Sequence, residues 1–412
     1  MKGEILFLAH RLPFPPDRGD KIRSHHVLKH LASIAPVHVA TFADDPDDFD
    51  HEADLAAIAA SHCLVERVKP LWRAGIEALA RSEPVSLAAF RDARLAAYVA
   101  QTLRLRGIAA IYVFSGQMGQ YVPAGFKGRV VMDLVDVDSA KFEAYGDNGA
   151  WPRRWIDARE GRLLRAEEAR LASRGDVTLL VSDAEAGLLR SRLADSAQAD
   201  VRTLGNGIDA RFFNPEHVLA HPALTLCAGP HLVFTGQMDY PPNVEAALRL
   251  MERILPRIRE RHPEAQAHIV GRAPVHVLRA HDGRNGCRVW GAVKDIRPFI
   301  AAADLMVAPL VIARGVQNKV LEAMAMARPV LVSAEAATGI DGLDGVHLAI
   351  GDDDDALVAR ALALLADRGG ASAMGKAARA FVLGSKSWPA TLAPLGQFIS
   401  PDSQGAGHRD AA

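Results

Sequence analysis

The chain has 412 residues, 49% of them hydrophobic and 24% charged, with a formal net charge of −1. That length exceeds one ordinary core and suits two α/β domains of roughly 200 residues each. The balanced charge argues against a nucleic-acid binder, which carries a basic excess on at least one domain, so the expected partners are small molecules.

Cys63, Cys227 and Cys287 fit no CxxC or Cys/His metal spacing, and a reducing cytoplasm is the simplest setting for them. The apolar residues 5–9 run at once into His10 and Arg11, too short for a signal segment, and no run approaches the ~18 apolar residues of a spanning helix. The expectation is a soluble, cytoplasmic protein, at most peripheral to the inner face of a membrane.

Residues 4–9 read as a first strand, and residues 11–20, rich in Pro and Gly, as a loop before a helix beginning near Lys21. The loop exceeds the usual connection of roughly 2–6 residues, and it lies at the carboxyl end of a first parallel strand, where α/β domains place ligands. Gly19 is its candidate residue. Residues 37–42 form the second expected strand, and the acidic residues 44–50 read as solvated surface without metal-loop spacing. Helices follow over 67–106, with Arg73, Arg81, Arg91, Arg94, Arg104 and Arg106 interleaved with Trp72, Phe90 and Tyr98. Such a mixture could lie on an anionic membrane, but exposed faces of packed helices are the plainer reading.

Strands are expected over 110–114 and 130–134, the second running into Asp136 and Asp138 at a turn where a parallel strand ends. Residues 151–174 form a long helix in which Glu167 and Glu168, near Arg170 and Arg174, suggest a solvated face. After a strand over 177–182 and a helix over 184–193, Asn206, Gly207, Ile208 and Asp209 make a mid-chain turn ahead of a second βα series. Its strands are 231–235, followed by Gly236; 267–270, followed by Gly271 and Arg272; and 287–290, followed by Gly291 and Val293.

The fourth unit, residues 304–333, reads DLMVAPLVIARGVQNKVLEAMAMARPVLVS. It predicts a buried strand over 305–311, a glycine turn through Arg314, Gly315, Val316 and Gln317, a helix opening at Asn318 and a strand over 330–332. Free amides and the helix dipole at such a start favour a diphosphate. Glu322, one turn inside, could reach the hydroxyls of a nucleotide sugar. Any βαβ unit can carry a Glu there, so this signal is weak alone. The acids of 351–355 read as a helix cap in preference to a metal site. Residues 388–398 read as a last helix, and 400–412 as a polar, disordered tail.

Taken together, residues 1–398 resemble the retaining GT-B glycosyltransferases of family 4, whose donor signature is two glutamates flanking a glycine turn. The resemblance implies two Rossmann-like, doubly wound parallel-sheet domains facing a cleft: an acceptor domain over 1–205, a nucleotide-sugar domain over 206–385, and a helix crossing back over 386–399. It implies donor contacts from Gly19, Gly236, Gln237, Arg272, Val293, Arg314, Gly315, Val316, Gln317, Asn318, Lys319 and Glu322. Asp136, Asp138 and Arg314 are the catalytic candidates. The implied reaction moves a hexosyl group from a nucleotide sugar to a saccharide or lipid-linked saccharide, with retention and without metal or other cofactor. The stretches 115–122 and 132–145 are similar to a narrower group, the sugar transferases of exopolysaccharide and PEP-CTERM (exosortase) systems. Three departures stand out: Arg314 falls where the first glutamate is usual, Gln237 and Pro242 fall where the family carries an arginine and a lysine, and no histidine lies near Asp136. A GT-B nucleotide-sugar epimerase and a non-catalytic scaffold of a polysaccharide assembly remain as alternatives.

Overall fold

The computed structural model describes residues 3–148, 153–194, 199–313 and 316–400. They divide into two units: residues up to Asn206 with those from Thr391 onward, and Gly207–Ala390. Each unit is built on its own parallel sheet.

In the first, β1 (Glu4–Ala9), β2 (Val37–Ala43), β3 (Ser61–Glu66), β4 (Ile108–Phe114), β5 (Arg129–Val135), β6 (Val177–Leu180) and β7 (Val201–Thr203) lie in the order β3-β2-β1-β4-β5-β6-β7. The second holds β8 (His231–Thr235), β9 (Gln266–Val270), β10 (Cys287–Gly291), β11 (Leu305–Ala308), β12 (Val330–Val332) and β13 (Ala349–Ile350), in the order β10-β9-β8-β11-β12-β13. Strands such as β2, β6 and β8 are buried along their whole length, as continuous apolar runs in parallel sheets are. In both sheets the winding reverses beside the first strand, at β1/β4 and at β8/β11. These are the switch points where the carboxyl ends of the strands leave a crevice.

β3, β7 and β13 have no counterpart among the expected strands, and all three are sheet edges. An edge strand needs no continuous apolar run: β3 mixes Ser61, His62 and Glu66 with Leu64 and Val65. β11 stops at Ala308, short of the expected 311, because Pro309 has no N–H to give to the ladder. The expected helix over 388–398 is two short helices, Trp388–Leu392 and Leu395–Ile399, divided at Pro394.

Acidic side chains depart most from expectation. Asp48 is buried: it accepts from Lys21 Nζ at 2.7 Å and from the Asp44 amide at 2.8 Å, while Asp44 pairs with both Arg11 and Arg67. The loop over 44–50 is thus partly internal. In the helix Arg153–Arg174, Glu160 takes the Val85 and Ser86 amides at 2.8 and 2.9 Å, and Glu168 takes the Ser139 amide and hydroxyl at 2.9 and 2.6 Å. Both carboxylates are buried caps of other segments, which charge spacing along one helix cannot reveal. Phe90 is buried and the Tyr98 hydroxyl bonds Ser61, so Trp72 is the exposed aromatic of its stretch.

The first unit closes around a buried ion pair. Arg23, on the helix Gly19–Ile34 and 1% exposed, forks onto Asp133 in β5 at 3.0 and 3.1 Å. Its Nη1 also donates to the Gly205 carbonyl at 2.9 Å and Asn206 Oδ1 at 3.0 Å, and Tyr112 donates to Asp133 at 2.7 Å. Removing the guanidinium leaves a buried carboxylate without its countercharge. Arg23→Met is therefore expected to destabilise the protein by about 3–5 kcal/mol in urea unfolding, with part of the loss recovered on adding Asp133→Asn. A cost below about 1 kcal/mol would show that the pair is not what holds this helix to the sheet.

Candidate functional site

Three neighbouring strands of the second sheet end in glycine turns that are bonded to one another. The Gly236 amide donates to the Val270 carbonyl at 3.1 Å, Gly271 to Gly291 at 3.0 Å, and Met238 to Arg272 at 2.8 Å. A Cβ on Gly271 would stand 1.6 Å from the Gly236 carbonyl oxygen, so no other residue fits there. On the other side of the switch point, the segment after β11 opens the helix Asn318–Ala325.

Between these walls lies a cavity of about 640 Å³. Gly236, Gln237, Arg272, Val293, Val316, Gln317, Asn318, Lys319 and Glu322, all singled out in the sequence, line it, joined by Tyr240, Asn243 and Ile296. Arg314 and Gly315 lie outside the described residues.

Lys319 is not a solvent-facing lysine. Its Nζ donates to Asn243 Oδ1 at 2.5 Å and stands 4.8 Å from the centre of the Phe234 ring, while Asn243 Nδ2 donates to the Gln237 carbonyl at 2.9 Å. A Cβ on Gly236 would sit 3.3 Å from that Nζ, so the glycine leaves room for the cation. Arg272 Nη2 donates to Gln237 Oε1 at 2.9 Å. Each cation is therefore aimed by a neutral amide side chain. Burial pushes the Lys319 ammonium down to about 8 and the Glu322 carboxyl up to about 7, against their mutual attraction. Near neutral pH the cavity holds a lysine largely charged and a glutamate that a ligand can tip either way. Asn243 and Phe234 carried no signal in the sequence, because only folding sets them beside Lys319.

In the first unit, Gly19 opens its helix, and a Cβ there would meet nothing within 4 Å, so the unit itself does not require the glycine. Asp136 and Asp138 share Lys141, whose Nζ lies 2.9 and 3.1 Å from them; burial works against that charge, but the two carboxylates raise it to about 12. Ser115, directly after β4, and Val135, the last residue of β5, hold φ of 76° and 70°, strained for side-chain-bearing residues. A second cluster, absent from the sequence reading, follows β1. His10 stacks on Phe114 at 5.7 Å and approaches Asp20 at 3.5 Å, and Arg11 joins Asp20 at 2.6 Å. Burial alone would raise the Asp20 carboxyl, yet hydrogen bonds from His10, Arg18 and Arg11 hold it far below the usual range. The signal available for His10 was its place directly after a parallel strand.

Residues 229–367, the span from just before β8 to beyond β13, match the family model described as glycosyl transferases group 1. No curated protein matches the chain. Among solved structures, HepE of Anabaena in complex with UDP and glucose is 14% identical, with a TM-score of 0.57 over 96% of this chain and 99% of that chain. Sucrose-phosphate synthase of Thermosynechococcus elongatus is 18% identical, with a TM-score of 0.62 over 96% and 98%. WaaG, a glycosyltransferase involved in lipopolysaccharide biosynthesis, is 15% identical, with a TM-score of 0.57 over 96% and 99%. At such identities the likeness is one of fold. Residues 229–367 thus form a glycosyl transferases group 1 domain, in a chain whose two Rossmann-like units have the GT-B glycosyltransferase fold.

Proposed function

We propose that the protein transfers a glycosyl group from a nucleotide sugar to an acceptor hydroxyl with retention, in exopolysaccharide assembly, in the cytoplasm and in peripheral contact with the inner face of the membrane. The observation that carries the reading is the convergence of Lys319, Arg272 and Glu322 on one cavity at the β8/β11 switch point. HepE, of the same fold, has been crystallised with UDP-glucose.

In this reading Glu322 accepts from the ribose hydroxyls, the backbone near Val293 lies by the base, and the first amides of the helix Asn318–Ala325 meet the diphosphate, having no intrahelical acceptor of their own. The departing diphosphate is the charge that catalysis must stabilise. Gln237 replaces the usual arginine yet carries Arg272 on its Oε1, and Asn243 holds Lys319, so the positive charge is supplied from different positions. Arg314 completes the set as a forked clamp on phosphate or sugar, in place of the usual glutamate. These cations serve where other transferases use a metal ion. Asp136 and Asp138 contact the acceptor, a saccharide or lipid-linked saccharide, and Gly19 admits the donor.

Glu322→Ala is expected to weaken nucleoside diphosphate binding by on the order of tenfold or more in calorimetry, since a hydrogen bond to a charged group contributes about 1.5–3 kcal/mol. Because the hydroxyls favour the ionised carboxylate, affinity of the wild type for the bare nucleoside should rise from pH 6 to pH 8 and then level off, and the variant should lose this dependence. Unchanged affinity, or a pH profile shared by both, refutes the assignment. A panel of nucleotide sugars incubated with the purified protein should give hydrolysis or transfer; an epimerised nucleotide or no turnover would favour the epimerase or the scaffold. Turnover should persist in EDTA, and abolition with rescue by Mn²⁺ would overturn metal independence. At saturating donor, Arg314→Gln and Lys319→Gln should each lower turnover by more than they weaken nucleoside binding. If neither does, Arg272→Gln is the variant that decides whether relocated cations act at all.

A further inference from the structure

The helix Leu71–Arg81 turns its small residues inward and its large apolar ones outward. Ala74 and Ala78 are buried, whereas Leu71, Trp72, Ile76 and Leu79 are between 56% and 70% exposed. Trp72, Ile76 and Leu79 recur at helical spacing and form one stripe. A second element extends it. Arg159 Nη2 donates to the Ala78 carbonyl at 3.0 Å and Glu160 caps the Val85 and Ser86 amides, which ties the helix Arg153–Arg174 to the end of this one. Trp155 and Ile156, one turn earlier on those same faces, are 59% and 49% exposed. A continuous outward surface of this size is uncommon unless something covers it.

The charges around it are one-sided. Glu77 is held by Lys69 at 2.7 Å and by Arg73 at 3.5 Å, and Glu83 is forked by Arg91. Arg81 and Arg154, both exposed, make no ion pair among the described residues. Paired acids and unpaired arginines leave a positive rim about an apolar centre.

We infer that this surface, made by the helix Leu71–Arg81 and the start of the helix Arg153–Arg174, docks on an anionic lipid bilayer. Tryptophan, leucine and isoleucine enter the acyl boundary while the arginines meet lipid phosphates, the division of labour of an interfacial helix. No helix among the described residues is long and apolar enough to cross a membrane, so the contact is peripheral. A second copy of the chain is a poorer occupant, since a two-fold pairing would set the arginines of both rims against each other. The inference deepens the peripheral contact proposed above. Its test reads vesicle binding and the transfer reaction is tested by turnover, so either can fail alone.

The full chain is floated with phosphatidylcholine vesicles and with vesicles containing phosphatidylglycerol. It should rise with the anionic vesicles, much less with the neutral ones, and less again at high salt. Trp72→Glu with Ile76→Glu should lower anionic-vesicle partitioning by on the order of tenfold per side chain while nucleoside diphosphate binding, read by calorimetry, stays unchanged. Arg81→Glu with Arg154→Glu should remove the preference for anionic lipid. Equal flotation of the apolar variant, absence of flotation by the wild type, or a concentration-dependent dimer that the apolar variant abolishes would each overturn the proposal.

Discussion

The second unit depends on a steric constraint at the ends of β8, β9 and β10. Three neighbouring parallel strands end at Gly236, Gly271 and Gly291, and their turns are bonded so closely that a single methyl group at position 271 would strike the Gly236 carbonyl oxygen at 1.6 Å. Because no side chain rises at that seam, the backbone itself forms the floor of the cavity. Larger groups stand only on its walls, where Gln237, Arg272, Asn243 and Lys319 face one another.

That floor sets the electrostatics above it. A cavity walled by protein rather than water penalises any charge brought into it, which is why Lys319 is lowered and Glu322 raised even though each lies near the other. Amide side chains aim the cations without neutralising them. An arginine paired with a carboxylate would have spent its charge on its partner; Arg272 on Gln237 and Lys319 on Asn243 keep theirs for an incoming anion.

The first unit spends its charges differently. Arg23 is neutralised by Asp133 inside the core, Lys141 by Asp136 and Asp138, and Asp44 by Arg11 and Arg67. These pairs position segments: Arg23 alone connects a helix, the centre of the sheet and the Gly205–Asn206 exit of the chain. Arg81 and Arg154, which make no ion pair among the described residues, lie instead at the rim of the apolar stripe, where the helix Leu71–Arg81 exposes what most helices bury.

Much of this was legible in the residues alone. Apolar runs located β1, β2 and β8 almost to the residue, because a central parallel strand must be buried on both faces and has no other way to be written. Strand-end glycines, and the one-turn spacing of Lys319 and Glu322, are likewise local features that survive in a linear reading. The edge strands β3, β7 and β13 were not legible, because they are made by the neighbour they pair with. Nor was the fate of the charges: whether Asp48, Glu160 and Glu168 meet water or a buried amide depends on segments far away in the chain. The same holds for the site. Sequence supplied its parts in the order 236, 272, 293, 319 and 322, and the strand order β10-β9-β8-β11, which only long-range pairing can set, brought them to one cavity and gave Lys319 its partner in Asn243.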